Sequence, residues 1–296
     1  MKNQNTIMLG GKLSAAAFIT MMAIYLFVSV LVQSILGAVL DTTNAVYLLV
    51  CGALPSIAMI SATLIFKYKT GYGFCGLVGI EKFNPKHSIG IVLLGVGMFL
   101  GLGWLNVAVS LLAQRMGVTV SAIGPPLENA VQVAFSCLVY ALLPAIAEEF
   151  FFRGVMQKGL KHAGIIACSL VGGLCFALYH GSINQLLYQF VFGVMMCLFV
   201  GVSNSVLPAV IVHFLNNLTI IILTYIGVEP NFFSPIIISV GLLCLGGFIA
   251  LCLTDKNFKI ARKKTADNVV RSFMVPLGLV AIIFCAIMII LSAVSL

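Results

Sequence analysis

Nine long apolar segments constrain this chain more than any other feature. They cover roughly residues 14–37, 45–66, 88–113, 130–152, 164–182, 185–203, 206–227, 233–253 and 273–295. A helix needs about 20 apolar residues to cross a bilayer. Inside lipid, a backbone satisfies its own hydrogen bonds only as a helix or a closed barrel, and runs as continuous as these favour helices. The sequence therefore predicts an all-α, polytopic integral membrane helix bundle of about eight to nine transmembrane helices.

The composition predicts one membrane domain, 1–296, and no soluble module, because 61% of the residues are apolar and only 8% are charged. The first apolar segment follows Lys2 and Lys12, as a signal peptide would. It has 24 residues, however, whereas the apolar core of a signal peptide has about 7–15. We therefore expect it to be retained as the first span.

The positive charges predict the orientation. If the N-terminus is cytoplasmic, 15 of the 16 Lys and Arg residues lie on the cytoplasmic side, and Arg115 lies outside. Such an excess is typical of cytoplasmic loops, and with nine spans it places the C-terminus outside. The net charge of +8 is then explained by orientation and by contact with anionic membrane lipid, so nucleic acid binding is not needed. In a bacterium the membrane would be the plasma membrane. The sequence carries no signal for an oligomeric state.

Two glutamates and an arginine interrupt the fourth apolar segment. Glu148 and Glu149 are adjacent, in a chain with only 8 acidic residues, and Arg153 follows four residues after Glu149. Each charge at a helix centre costs about 2.5–3.5 kcal/mol on insertion scales, so these residues indicate a functional site. Residues four apart share a helix face, which predicts a Glu149–Arg153 pair. Pro144, one turn earlier, can bend the helix or admit water. The alternative is a salt bridge near the lipid headgroups.

Further polar residues interrupt the next helices. His180 lies near the end of the fifth segment, and His213 precedes Asn216 and Asn217 in the seventh. Such residues can hold a water molecule or an oxyanion. They can equally serve as hydrogen-bonding residues between helices. Their occurrence in the helices that follow the glutamates favours a shared polar site.

The motifs Glu148-Glu149-x-x-x-Arg153, Phe176-x-x-x-His180 and His213-x-x-x-Asn217 occur in this order on successive predicted membrane helices. In combination they resemble the CAAX protease and bacteriocin-processing (CPBP, or Abi) family of intramembrane endopeptidases. The resemblance covers residues 130–227, which would form a catalytic four-helix core. The flanking segments carry no such motif.

The resemblance implies roles for these residues. Glu148 would be the general base that activates water, and His180 would assist with that water. His213 and Asn217 would stabilise the oxyanion, and Glu149 and Arg153 would pair to support the site. The substrate would be a membrane-associated protein or peptide, including prenylated CAAX-type termini.

The family has been described both as glutamate-based and as metal-dependent. The first mechanism needs no cofactor. The second would use a Zn²⁺ ion held by Glu148, His180 and His213 with water as a fourth ligand. The residues permit both. However, the histidines lie on different helices rather than in the His-Glu-x-x-His arrangement, which favours direct glutamate catalysis.

Two other functions stay open. A proton-coupled transporter would also need buried acids and histidines, but the sequence shows no matching second half. A non-catalytic immunity or scaffold protein could share the fold, because fold does not determine function. The intact set of polar residues favours the endopeptidase.

Overall fold

The computed structural model describes residues 10–115, 124–262, 267–274 and 278–294. Lys2, Lys263, Lys264 and parts of the ninth predicted segment lie outside them. The described residues form helices and no strands. In chain order the helices are α1 (Gly11–Gly37), α2 (Ala45–Thr70), α3 (Phe74–Val78), α4 (His87–Arg115), α5 (Ala130–Ala163), α6 (Ile165–Tyr179), α7 (Leu186–Ser203), α8 (Leu207–Tyr225), α9 (Pro235–Thr254), α10 (Lys256–Arg262), α11 (Asp267–Phe273) and α12 (Leu279–Val294).

Seven of these helices are long and apolar enough to cross a membrane, namely α1, α2, α4, α5, α7, α8 and α9. Their outward faces carry large apolar side chains, such as Ile236 and Leu243, which are 76% and 75% exposed. Apolar surface of this extent is expected where lipid contacts the protein. The predicted fold class is confirmed: the chain is an integral membrane helix bundle.

The fifth predicted span is shorter than expected. It is α6, with 15 residues, which extends over only about 22 Å of a hydrocarbon core about 30 Å thick. Gly164 and Gly181 bracket α6 with φ angles of 86° and 62°. That backbone region favours glycine and ends a helix. The described part of the ninth, α12, has 16 residues.

The turn between α7 and α8 is buried in the protein. The Ser205 hydroxyl donates to the backbone oxygen of Glu81 over 2.6 Å, and the Val206 N–H donates to that of Gly79 over 2.9 Å. These bonds replace the contacts with water that a surface turn would make. The start of α8 therefore lies inside the bundle, and His213, two turns along it, reaches a depth that its sequence position alone did not predict.

Glycines allow α6 and α7 to pack closely. A Cβ atom on Gly193 would lie 2.8 Å from the Cα atom of Gly173, a distance that packed carbon atoms do not tolerate. Small residues commonly bring membrane helices together in this way. The close approach fixes α7, and with it the Gly193 carbonyl, beside α5.

Asp255 joins three segments at one end of the bundle. Its buried carboxylate lies 2.6 Å from Lys86 Nζ and 3.2 Å from His87 Nε2, and it accepts the Asn257 N–H over 2.7 Å. Burial raises the pKa of Asp255, but the hydrogen bonds from Lys86, Asn257 and His87, together with the charge of Lys86, outweigh burial and lower that pKa below its usual value.

Asp255→Asn should therefore destabilise the protein at neutral pH, by roughly 1–2 kcal/mol because Lys86 is half-exposed. A depressed pKa in the folded state contributes stability that is present above the unfolded pKa of about 3.9 and is lost as pH falls through the folded value. We expect the difference in Tm between the two proteins to be full at pH 7 and to shrink below about pH 4. A difference that is unchanged by acid would contradict this assignment. Thermal unfolding in detergent measures it.

Candidate active site

A cavity of about 580 Å³ is lined by residues of α1, α2, α4, α5, α6, α7 and α8. Four of the predicted site residues line it: Glu148, His180, His213 and Asn217. Glu149 and Arg153 are buried behind this lining. The remaining polar lining comes from Tyr25, Ser56, Asn106, Tyr140, Tyr179, Gln185, Tyr188, Gln189 and Asn216. Residues from three separate sequence motifs thus meet at one cavity.

Glu149 links α5 to α8. Its Oε1 atom lies 3.1 Å from Nη1 of Arg153, as the spacing predicted, and 2.9 Å from Nδ1 of His213. The second contact was not predicted, since it joins residues 64 positions apart. Glu149 is fully buried, so its carboxylate acts on His213 with little screening by water.

Arg153 is enclosed by aromatic and backbone groups. Its guanidinium carbon lies 4.3 Å from the centre of the Phe176 ring, and Nη2 donates to the Gly193 carbonyl over 3.5 Å. Arg153 was counted above among the cytoplasmic charges, and that assignment is wrong because the side chain is buried in the bundle. The number of Lys and Arg residues that the sequence-based prediction places on the cytoplasmic side therefore falls from 15 to 14 of 16.

Glu148 faces the cavity beside His213. Its Oε2 atom lies 3.9 Å from Nε2 of His213 and has no hydrogen-bond partner among the described residues. The separation is too long for a direct hydrogen bond and suits two groups that share one water molecule. A buried carboxylate oxygen without a partner is costly for folding, which points to a function.

Both site histidines carry a proton on Nδ1. Nδ1 of His213 faces the Glu149 carboxylate, and Nδ1 of His180 lies 2.8 Å from the Phe176 carbonyl. Carbonyl and carboxylate oxygens accept, so the ring nitrogens must donate. In each neutral ring, Nε2 is then the acceptor, available to a water molecule or substrate.

A proline supplies the anchor for Asn217. Pro144 has no N–H, so the carbonyl of Tyr140, four residues earlier, loses its usual helical partner. The Asn217 amide donates to this carbonyl over 3.2 Å. The helix α5 is π-helical over Cys137–Leu142, which includes Tyr140, and again over Glu149–Met156. Such turns often occur at functional sites.

Pro144→Ala should restore an N–H that competes for the Tyr140 carbonyl and so release Asn217. We expect a roughly tenfold lower kcat, because small displacements of catalytic groups are costly, without loss of Tm. Pro208→Ala is the matched control, because Pro208 occupies the first turn of α8, where no N–H partner is needed. Equal effects of the two changes on kcat would contradict the role given to Pro144.

A comparison with known protein families found one match. Residues 130–219 match the family model described as Type II CAAX prenyl endopeptidase Rce1-like. This match confirms the predicted resemblance. The matched Rce1-like segment contains all six predicted site residues, although it covers less than half of the chain. No curated protein and no solved structure shows a significant match.

The sequence did not identify every polar group around the candidate site. The hydroxyl of Tyr188 donates to Oδ1 of Asn216 over 3.0 Å, and Nδ2 of Asn216 donates to Oδ1 of Asn217 over 3.3 Å. Asn216 was visible as the neighbour of Asn217. Tyr188 lies in the first turn of a mostly apolar helix and gave no signal. The Asn216 side chain, which Tyr188 binds, and the Tyr140 carbonyl fix the Asn217 amide from two directions.

The candidate site offers the donor types that Zn²⁺ prefers, from Glu148, His180 and His213. The described residues nevertheless contain no group of three His, Cys, Asp or Glu side chains arranged to hold a metal ion. The positions of these three side chains do not fit a metal centre. We therefore assign no step of the reaction to a metal.

Proposed function

We propose that this protein is an intramembrane endopeptidase that hydrolyses peptide bonds of membrane-associated protein or peptide substrates, with Glu148 activating the attacking water. The observation that carries this proposal is the 3.9 Å separation between the buried carboxylate of Glu148 and Nε2 of His213, inside the cavity. These groups come from different helices and meet in one cavity of about 580 Å³, where we place the peptide and the attacking water. The Rce1-like match supports the same reaction class.

Glu148 acts as general base and then as general acid. Its carboxylate takes one proton from water while the water oxygen bonds to the carbonyl carbon of the substrate. The tetrahedral intermediate collapses, the C–N bond breaks, and Glu148 returns the proton to the leaving amine. The products are a carboxylic acid and an amine, and the proton of the acid then passes to the amine or to solvent. The reaction balances without a cofactor. Proton transfer by a positioned side chain typically contributes about 10²–10⁴-fold to the rate.

Asn217 and His213 stabilise the oxyanion of the intermediate. One N–H of the Asn217 amide is bound by the Tyr140 carbonyl, and the other is available to the developing negative charge. His213 donates from Nε2 to the oxyanion when its ring is an imidazolium, while its Nδ1 donates to the Glu149 carboxylate. A positioned donor of this kind is worth about 10²–10³ in kcat.

His180 and Glu149 have supporting roles. His180 presents Nε2 as an acceptor towards the cavity and holds the attacking water. Glu149 is a positioning residue, since it touches His213 and Arg153 and lies behind the cavity lining. Arg153 in turn holds Glu149.

Purified protein incubated with a panel of peptides, with and without a chelator, tests the proposal. The panel should include prenylated and unprenylated C-termini and unmodified membrane peptides. We expect cleavage of at least one class and the same rate after chelation, because the mechanism needs no metal. Loss of activity on chelation, restored by Zn²⁺, would overturn the assignment of Glu148 as the base. If no peptide is cleaved, proton-coupled flux in liposomes would favour the transporter. An unchanged cellular effect of a variant with alanine in place of Glu148, His180 and His213 would favour the scaffold protein.

A further inference from the structure

The connections between helices gather at two opposite ends of the bundle. We call the first the basic end, formed by residues 71–86, 161–164, 204–206 and 255–262, and the second the opposite end, formed by residues 38–44, 124–129, 180–185 and 226–234. Contacts join the connections of the basic end to each other or to the adjacent helix ends. Ser205 bonds to Glu81, Lys86 to Asp255, and Asn257 to the Val202 carbonyl.

Charge differs sharply between the two ends. The basic end and the adjoining helix turns carry Lys67, Lys69, Lys82, Lys86, Lys158, Lys161, Lys256 and Lys259. The opposite end carries the acids Asp41, Glu128 and Glu229, with Arg115 at the end of α4 as its basic residue among those described. Loops rich in Lys and Arg stay in the cytoplasm. The basic end is therefore cytoplasmic.

The cavity belongs to the opposite end. Pro125 and Gln185 of its lining lie in connections of that end, and Gln189 and Ile221 lie within about one turn of it. Among the described residues, none that lines the cavity comes from a connection of the basic end.

The cytoplasmic side of the site is filled by packed side chains. From Glu148 to the end of α5 at Ala163 the helix runs 15 residues, or about 22 Å. Phe151, Phe152 and Phe176 are almost completely buried there. A peptide coming from the cytoplasm would have to displace this core to reach Glu148.

We infer that the active-site cavity opens to the extracytoplasmic side, and that the substrate is a peptide segment presented from that side, such as part of an exported or membrane-anchored peptide. The inference rests on the proposed endopeptidase function. It makes a lipid-modified cytoplasmic C-terminus a poor substrate, because such a terminus lies across the packed core from the cavity.

Labelling with a membrane-impermeant maleimide tests the orientation independently of activity. Cys75 is exposed in a connection of the basic end, and Thr42 is exposed in a connection of the opposite end without lining the cavity. In intact cells we expect Thr42→Cys, made in a Cys75→Ser background, to be labelled. Cys75 of the unchanged protein should react only after permeabilisation. The reverse pattern would overturn the inference.

Cleavage by oriented membrane vesicles tests the substrate side. The probe is the peptide that the purified protein cleaves fastest, carrying a charged tag that keeps it from crossing the membrane. Right-side-out vesicles should cleave it, and inverted vesicles should cleave it only after detergent is added, with Glu148→Gln vesicles as the blank. Equal or faster cleavage by intact inverted vesicles would overturn the inference. An absence of cleavage even in detergent would instead overturn the proposed function, while the labelling result would still decide the orientation.

Discussion

Glu148→Gln is expected to lower kcat/KM by roughly 10²–10⁴-fold. Glutamine has nearly the same shape as glutamate but cannot accept and return a proton at this position. Glu148 makes no ion pair with Arg153, and its Oε2 atom has no hydrogen-bond partner among the described residues. The substitution should therefore leave the protein folded in the membrane with an unchanged or slightly raised Tm.

Glu128→Gln is the matched control for this experiment, because Glu128 is exposed in a connection of the opposite end and does not line the cavity. Its rate should equal that of the unchanged protein. If a folded Glu148→Gln protein kept more than about a tenth of the original kcat/KM, well above the residual expected after loss of a general base, Glu148 could not be the base.

Glu149→Gln is expected to cause the largest loss of stability. It removes the carboxylate that lies 3.1 Å from Arg153 and 2.9 Å from His213, and it leaves a buried guanidinium without a counter-charge. Breaking a buried ion pair from one side costs about 3–5 kcal/mol. For a protein of this size the corresponding fall in Tm is on the order of 10 °C. Thermal unfolding in detergent measures it.

A double variant separates the structural role of Glu149 from its role at His213. Replacing a buried pair by apolar residues of similar volume is often neutral or stabilising, so Glu149→Leu combined with Arg153→Met should recover most of the Tm. His213 still lacks its carboxylate partner, and kcat should stay at least roughly tenfold low with little change in KM. A double variant with full stability and full kcat would show that Glu149 is only structural.

The fold could be predicted because long apolar segments permit few structures in lipid. The helix ends were harder to predict where a glycine conformation determines them. The segment 164–182 looked long enough to span, but Gly164 and Gly181 restrict α6 to 15 residues. Apolar composition says where a chain can lie in lipid, whereas helix ends depend on single backbone conformations.

Sequence reasoning proposed the members of the candidate site but not the contacts between them. The four-residue spacing predicted the Glu149–Arg153 pair, because helix geometry alone brings these side chains together. The bond between Glu149 and His213 depends on the buried α7–α8 turn, and therefore on backbone bonds to Gly79 and Glu81. Contacts between residues so far apart in the chain follow no fixed sequence interval, so sequence patterns do not reveal them.

In the proposed mechanism, Glu148 and His213 meet around the water that attacks the substrate. An experimental structure of Glu148→Gln bound to an uncleaved peptide would show whether they do. We predict that the scissile carbonyl lies in the cavity, with its carbon within about two hydrogen-bond lengths, roughly 6 Å, of both residue 148 and Nε2 of His213. A peptide bound with its scissile carbonyl well beyond that distance from residue 148 would rule out Glu148 as the base.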